Sequence, residues 1–245
     1  LDLPGVSLYG AGGVSSLPAI RGLADDRLRI QVDGMDLMAA CPNHMNSALS
    51  YIDPSRVASI TVFAGITPVS VGGDSIGGTI QVKSAPPRFA DSPEQSQASG
   101  QVGAFYRSNG NASGFNLGAE YVAPELYLSY NGSLARSDNY SAGGDFKPAG
   151  PGTVGGPWLT GSEVGSSAYN ARNHDIGLAW RRDQHLLQLN VSQQNIPFEG
   201  FPNQRMDMTA NDSTQVNLRY TGKYQWGQLI VRGYDQNTDH EMNMG

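Results

Sequence analysis

Cysteine is nearly absent: Cys41 stands alone among 245 residues, so no intrachain disulfide staples the fold. Basic charge is scarce as well. The 16 Lys and Arg against 22 Asp and Glu give a formal net charge of -6. A chain without a basic excess has no general affinity for phosphate backbones, which excludes nucleic acid as a partner. No apolar run reaches the roughly 18 residues that a membrane-spanning helix requires. A membrane barrel stays open, because its strands alternate and never form a greasy block. A charged and apolar amino-terminal leader is also missing. "LDLPGVSLYG" reads as the interior of a domain, so the chain is expected to have lost its start. Helix signals are few. The best, "NSALSYI", predicts a short helical segment ended at "DPS", where Pro54 pushes Asp53 away from helical geometry.

Glycine, at 31 residues, and tyrosine, at 11, are plentiful, the mark of many turns and strands. The expected fold class is all-β/α+β, in two regions. Residues 1–85 carry short mixed strands, clearest in "RLRIQVDG", "RVASITVFAG" and "GGTIQVKS", and predict a small mixed domain; residues 86–96 form a linker. From 97 to 245 the pattern changes to segments of about ten residues with period-two alternation. Leu126, Leu128, Tyr130 and Leu134 oppose Ser129, Asn131 and Ser133. Leu187, Leu189 and Val191 oppose Gln188, Asn190 and Ser192. Val216, Leu218, Tyr220 and Tyr224 oppose Asn217, Arg219, Thr221 and Lys223. Seven antiparallel strands are expected near 98–108, 113–123, 125–136, 169–182, 184–196, 213–224 and 227–240.

The connections decide between a soluble sandwich and a membrane barrel. Tight ones at "APE", "RRDQ" and "KYQWGQ" fall at one end. Long ones, "SDNYSAGGDFKPAGPGTVGGPWLTGSEVGSS" and "PFEGFPNQRMDMTAND", fall at the other. Outer-membrane barrels sort their loops in this way, with short periplasmic turns and longer extracellular loops. Seven strands do not close a large barrel, and an open edge is not tolerated in lipid. Residues 97–245 therefore read as the first part of an incomplete transmembrane barrel surrounded by outer-membrane lipid.

"PAIRGLADDRLRIQVDGMDL" followed by "VASITVFAGITPVSVGGDSIGGTIQVKS" resembles the plug domain of TonB-dependent outer-membrane receptors. The first stretch has that family's Arg-Gly, Arg and Val-Asp-Gly, and the second its strand, Gly and terminal Gly-Gly-x-Ile-x-Val. The resemblance covers about residues 4–84, and the alternating strands after it fit the start of that family's barrel. It implies a plug inside a barrel of about 22 strands, about fifteen of them beyond this sequence. It also implies a TonB-type energy-coupling partner, whose TonB box would precede residue 1.

The lone thiol lies in "CPNHM", where Cys41 and Met45 share a polar loop segment with Pro42, Asn43 and His44. Free cysteine and methionine are often plain packing residues, but a polar loop makes that a poorer explanation. At the chain's end, "TDHEMNMG" puts His240, Met242 and Met244 at alternate positions of a strand. Counting back, that face also carries Arg232, Gln236 and Thr238, while Leu229 and Val231 take the lipid side. His240 and Met242 are therefore expected in the lumen near the extracellular end. Thiolate, thioether and imidazole suit Cu(I) better than hard cations, which prefer oxygen, and thioethers favour copper over zinc.

The resemblance narrows here to the TonB-dependent copper receptors, whose plug carries Cys-x-x-x-Met and whose barrel carries His-x-Met. It implies Cys41 and Met45 as the plug pair and His240 and Met242 as the barrel pair, with copper, as an ion or a complex, the bound and transported species. His44 and Met244 read as auxiliary donors or neighbours. Met38, Met206 and Met208 read as an approach path, the latter two equally as loop packing. The expected mechanism has copper captured between plug and barrel and released when force on the plug separates the pairs.

Other motifs fail. "GGDSIGG" mimics a serine-protease signature but is interrupted by an isoleucine. "YGAGGVSSLP", with Asp33 beyond it, mimics a dinucleotide loop, yet Pro18 and Gly22 forbid the helix that loop needs. His174 and His185 have no nucleophile or carboxylate pattern around them, and no catalytic set is found, so the protein is not expected to be an enzyme. The rival cargo is a ferric siderophore or other metal chelate, which Tyr140, Trp158, Phe198 and Phe201 keep open.

Overall fold

Pairing between alternating strands organises the computed structural model, which describes residues 3–10, 12–72, 75–152, 156–202 and 204–244. The first region holds β1 (Val6–Gly10), β2 (Ser16–Ile20), β3 (Leu23–Ala24), β4 (Leu28–Val32), β5 (Met35–Asp36), β6 (Val57–Ala64) and β7 (Gly78–Ser84). β1, β2 and β3 form one small sheet, and a mixed sheet runs in the order β5-β4-β7-β6. β4 lies parallel to β7, and β6 antiparallel to it. Ile30, Val32, Ile80 and Val82 share a core with Ile20, Leu28, Met35, Leu37, Ala48 and Ile52. Burial of this cluster holds the unit together, since each such side chain contributes about 1.5–3 kcal/mol when removed from water. The helix expected in "NSALSYI" is a single 3-10 turn, Ala48–Tyr51. Pro54 does more than end it. It opens a second turn, Pro54–Arg56, capped by Asp53, whose carboxylate accepts from Ser55 N at 2.8 Å.

The second region holds β8 (Gln97–Arg107), β9 (Ala112–Val122), β10 (Leu126–Ser137), β11 (Gly150–Pro151), β12 (Trp158–Leu159), β13 (Tyr169–Arg182), β14 (His185–Glu199), β15 (Asp207–Tyr224) and β16 (Gly227–Asn243). Seven of them form one antiparallel sheet, β16-β15-β14-β13-β10-β9-β8, whose edges are not closed. The register stacks like with like: Leu128, Leu178, Leu189 and Leu218 stand in one cross-strand row, and Leu126, Trp180, Leu187, Tyr220 and Val231 in the next. These rows face outward as an apolar band. At the tight-turn end, His185, Tyr220, Tyr224 and Trp226 cluster, with Tyr224 and Trp226 stacked at 5.1 Å, as in an interfacial aromatic girdle. His174 and His185 serve this face, bonded through Nδ1 to Tyr130 and Tyr220. No helix among the described residues is long and apolar enough to cross a membrane, which says nothing about crossing by strands.

The loop expected over "PFEGFPNQRMDMTAND" is mostly strand. β14 continues to Glu199 and β15 starts at Asp207. The pairing is irregular around Pro197 and bulged between Met208 and Ala210. A proline without a ladder donor and an extra residue both break alternation, which hides the extension in the sequence. Ser16–Ile20 is a strand, so the phosphate-binding helix of a dinucleotide loop is absent there. Ala11 of that motif, and Gly73 and Asp74 of the protease-like one, lie outside the described residues.

The small region meets the inner face of the large sheet through polar contacts, of which those of Arg56 with the large sheet are buried. Arg56 bonds Asp175 and Ser192 of the large sheet, and its Nη2 lies 3.1 Å from Asp33 Oδ2. Asn173 Nδ2 reaches Asp53 at 3.0 Å, and Arg232 Nη1 reaches Gly34 O at 3.0 Å. Gln236 exchanges two hydrogen bonds with the Met38 backbone. The inward face predicted for Arg232 and Gln236 is thus occupied by the small domain.

Candidate metal centre

Cys41 and Met45 lie on the segment between β5 and the Ala48 turn. Pro42 occupies the second position of a β-turn closed by His44 N donating to Cys41 O at 3.0 Å. His44 then takes φ +55, which reverses the chain and returns Met45 to the side of Cys41. The segment was expected in a polar loop, but Cys41 is 1% exposed and Met45 6%. Both are covered by the large sheet, in one cluster with Ala171, Ile196, Phe201 and Met208; Val14, Met206 and Met242 pack against it. Burial pushes the Cys41 thiol up. Its interaction with the His240 imidazole, with the Asn46, Asn43 and Met45 backbones adding to it, outweighs that, and the thiol settles at about 7. Thiolate, the form that binds metal, is therefore available at neutral pH.

The large sheet presents its donors in two rungs, with the Ala210–Glu241 pair between them. Met208 pairs with Met242 across β15 and β16, and Asn211 pairs with His240. Across β14 and β15, Glu199 stands beside Met208 and Ile196 beside Asn211. His240 Nδ1 lies 3.1 Å from Asn211 Oδ1, while His240 Nε2 is buried with no hydrogen-bond partner. An imidazole anchored through one nitrogen with the other bare is how metal-binding histidines are held.

Of the residues singled out in the sequence, Cys41, Met45 and Met242 share this cluster and His240 adjoins it. His44 turns away, with Nε2 3.6 Å from Asp26 Oδ2. Met244 and Met38 are 72% and 78% exposed and do not join it. Met206 flanks the cluster, and Met208, read as approach path or loop packing, is a fully buried strand residue inside it. Among the described residues no three His, Cys, Asp or Glu side chains converge. Of the chelate-facing aromatics, Phe201 is consumed by the cluster, whereas Tyr140 and Trp158 are exposed. Asn211 escaped the sequence reading, for an asparagine on an inward strand face carries no local signal.

Residues 1–79 match the family model described as TonB-dependent Receptor Plug Domain. The match makes residues 1–79 similar to the plug of the TonB-dependent receptors and covers 79 of the 245 residues of this chain. Members of that family are transporters, not enzymes. Its small region has the fold of the receptor plug, and its seven-stranded sheet that of part of the receptor barrel. Among solved structures it is similar to the copper transporter OprC, with 25% identity and a TM-score of 0.80, over 98% of this chain and 35% of that one. The FrpB iron transporter from Neisseria meningitidis, F5-1 variant in apoprotein form, follows at 17% and 0.72, over 97% of this chain and 36% of its own. The Serratia marcescens hemophore receptor HasR, solved with its hemophore HasA and heme, is 16% identical with a TM-score of 0.73, over 98% and 35%. The latter two show the shared fold alone. The chain spans little more than a third of the receptors it resembles. No curated protein matches its sequence.

Proposed function

We propose that this receptor binds copper as Cu(I) between plug and barrel for import across the outer membrane, driven by a TonB-type partner acting on the plug. We place the plug at residues 1–85, the linker at 86–96 and the barrel segment at 97–245. One observation carries the reading. The plug's Cys41 and Met45 and the barrel's Met208 and Met242 pack in or against one buried cluster, beside an imidazole nitrogen with no other partner. Such a set fills the preferences of a soft monovalent ion and leaves hard cations without oxygen ligands. Similarity to a copper transporter supports it. Because the donors come from two bodies, a shift of the plug divides the site and releases the ion.

A ferric siderophore or other metal chelate is the second reading, favoured by the exposed Tyr140, Phe146 and Trp158 on the connection between β10 and β13 and by the likeness to iron and heme receptors. Metal content and Cu(I) affinity of the full-length receptor, beside Cys41→Ala and Met242→Ala, test both. The expected result is one copper per receptor and at least about 100-fold weaker binding in each variant, more than loss of an outer-shell partner brings. Parental affinity in both variants refutes the site. A parent that ignores copper and takes up a ferric chelate refutes the cargo.

A further inference from the structure

A buried polar chain runs from the plug to His240, and its donors and acceptors can be assigned from one end. The Ser50 carbonyl only accepts, so Gln194 presents Nε2 to it at 2.8 Å and turns Oε1 the other way. Asn211 Nδ2 donates to that Oε1 at 3.4 Å. Asn211 Oδ1 is then the acceptor, shared by Asn46 Nδ2 at 3.2 Å and His240 Nδ1 at 3.1 Å. His240 Nδ1 therefore carries a proton and donates it to Asn211 Oδ1, so in the neutral ring the lone pair is on Nε2. Asn46 and Asn211 are both fully buried. Such a position suits an apolar residue, as Ile196 beside Asn211 demonstrates. A carboxamide is tolerated there only because each of its groups is bonded.

We propose that Asn211 is a positioning residue through which the seated plug arms the barrel half of the metal site. Asn46 directly, and Ser50 through Gln194, hold the Asn211 carboxamide in the orientation that keeps the His240 proton on Nδ1 and leaves Nε2 free for the ion. The proposal rests on the copper-site reading above. Its consequence is that plug movement dismantles the site from both sides. Cys41 and Met45 leave, Asn46 and Ser50 leave with them, and the imidazole loses its orientation in the same step.

The test uses the full-length receptor, Cu(I) competition against a coloured chelator, and X-ray absorption to read imidazole around the copper. His240→Ala is expected to lose the imidazole signal. Asn211→Leu is expected to bind about 10- to 100-fold more weakly with that signal reduced. Asn211→Asp, which keeps an oxygen acceptor, is expected to recover both. Asn46→Ala, which leaves the barrel intact, is expected to lower the same signal from the plug side, and it serves as the test if Asn211→Leu does not assemble. Parental affinity and signal in Asn211→Leu or in Asn46→Ala overturns the proposal, as does weakened binding in Asn211→Leu with the imidazole signal unchanged. Parental affinity in His240→Ala overturns the copper-site reading itself, a distinct failure.

Discussion

Met45→Leu separates a ligand from a packing residue, because the exchange keeps volume and removes only the sulfur. Met45 is 6% exposed in a close-packed cluster. Truncation to alanine there would cost about 2–5 kcal/mol through the cavity it leaves. A volume-conserving exchange costs less than about 1.5 kcal/mol, so the metal-free variant keeps most of its stability. Copper binding behaves differently. Loss of an outer-shell partner alone weakens a metal site about 10- to 100-fold, so loss of a donor is taken as at least the upper end. At free Cu(I) about 1,000 times the parental Kd, copper stabilises the parent by about 4.1 kcal/mol. A variant bound 100-fold more weakly sits at about ten times its own Kd and gains only about 1.4 kcal/mol. The assay is denaturation of the plug in the full-length receptor, with and without Cu(I), read by plug tryptophan-free probes such as amide exchange in β4 and β7. A variant that is stable without metal and still gains about 4 kcal/mol from copper refutes a ligand role for Met45. A variant that is severely destabilised without metal shows that packing, not coordination, governs the position.

Arg56→Met removes the buried guanidinium shared by Asp33, Asp175 and Ser192. It leaves two carboxylates uncompensated and is expected to loosen the plug by about 3–5 kcal/mol; unchanged amide exchange in β6 and β7 contradicts this. Gly34→Ala forces a side chain at φ +78 into the Arg232 guanidinium that bonds the Gly34 carbonyl. It is expected to cost more than about 1 kcal/mol, measured by the denaturant midpoint, and a neutral result means that the turn moves freely from the barrel wall. Zinc at concentrations equal to Cu(I) is expected not to displace it, since thioethers rarely bind zinc. Full competition measured by metal analysis removes the argument from methionine.

Much of the fold was legible because alternation is a property of a single strand. The opposed faces of "LYLSYNGSLAR" and "QVNLRYTGKY" are the outward and inward faces of β10 and β15, and the tight turns fall where "RRDQ" and "KYQWGQ" placed them. Alternation failed where Pro197 and the bulge after Met208 interrupt it, and there β15 gained its first residues and Met208 its buried place. The candidate site was legible as chemistry and not as geometry. A lone thiol, an imidazole and thioethers name a soft-metal donor set from composition and spacing alone, and the plug motif names the body that carries half of them. Which donors meet is decided by cross-strand register, which sets Met208 against Met242 and Asn211 against His240, and by the seating of the plug, which brings Cys41 to a residue nearly two hundred positions away. Local spacing does not encode either, because register and seating are set by the summed packing of surfaces far apart in the chain, whereas periodicity reports only the faces of one element.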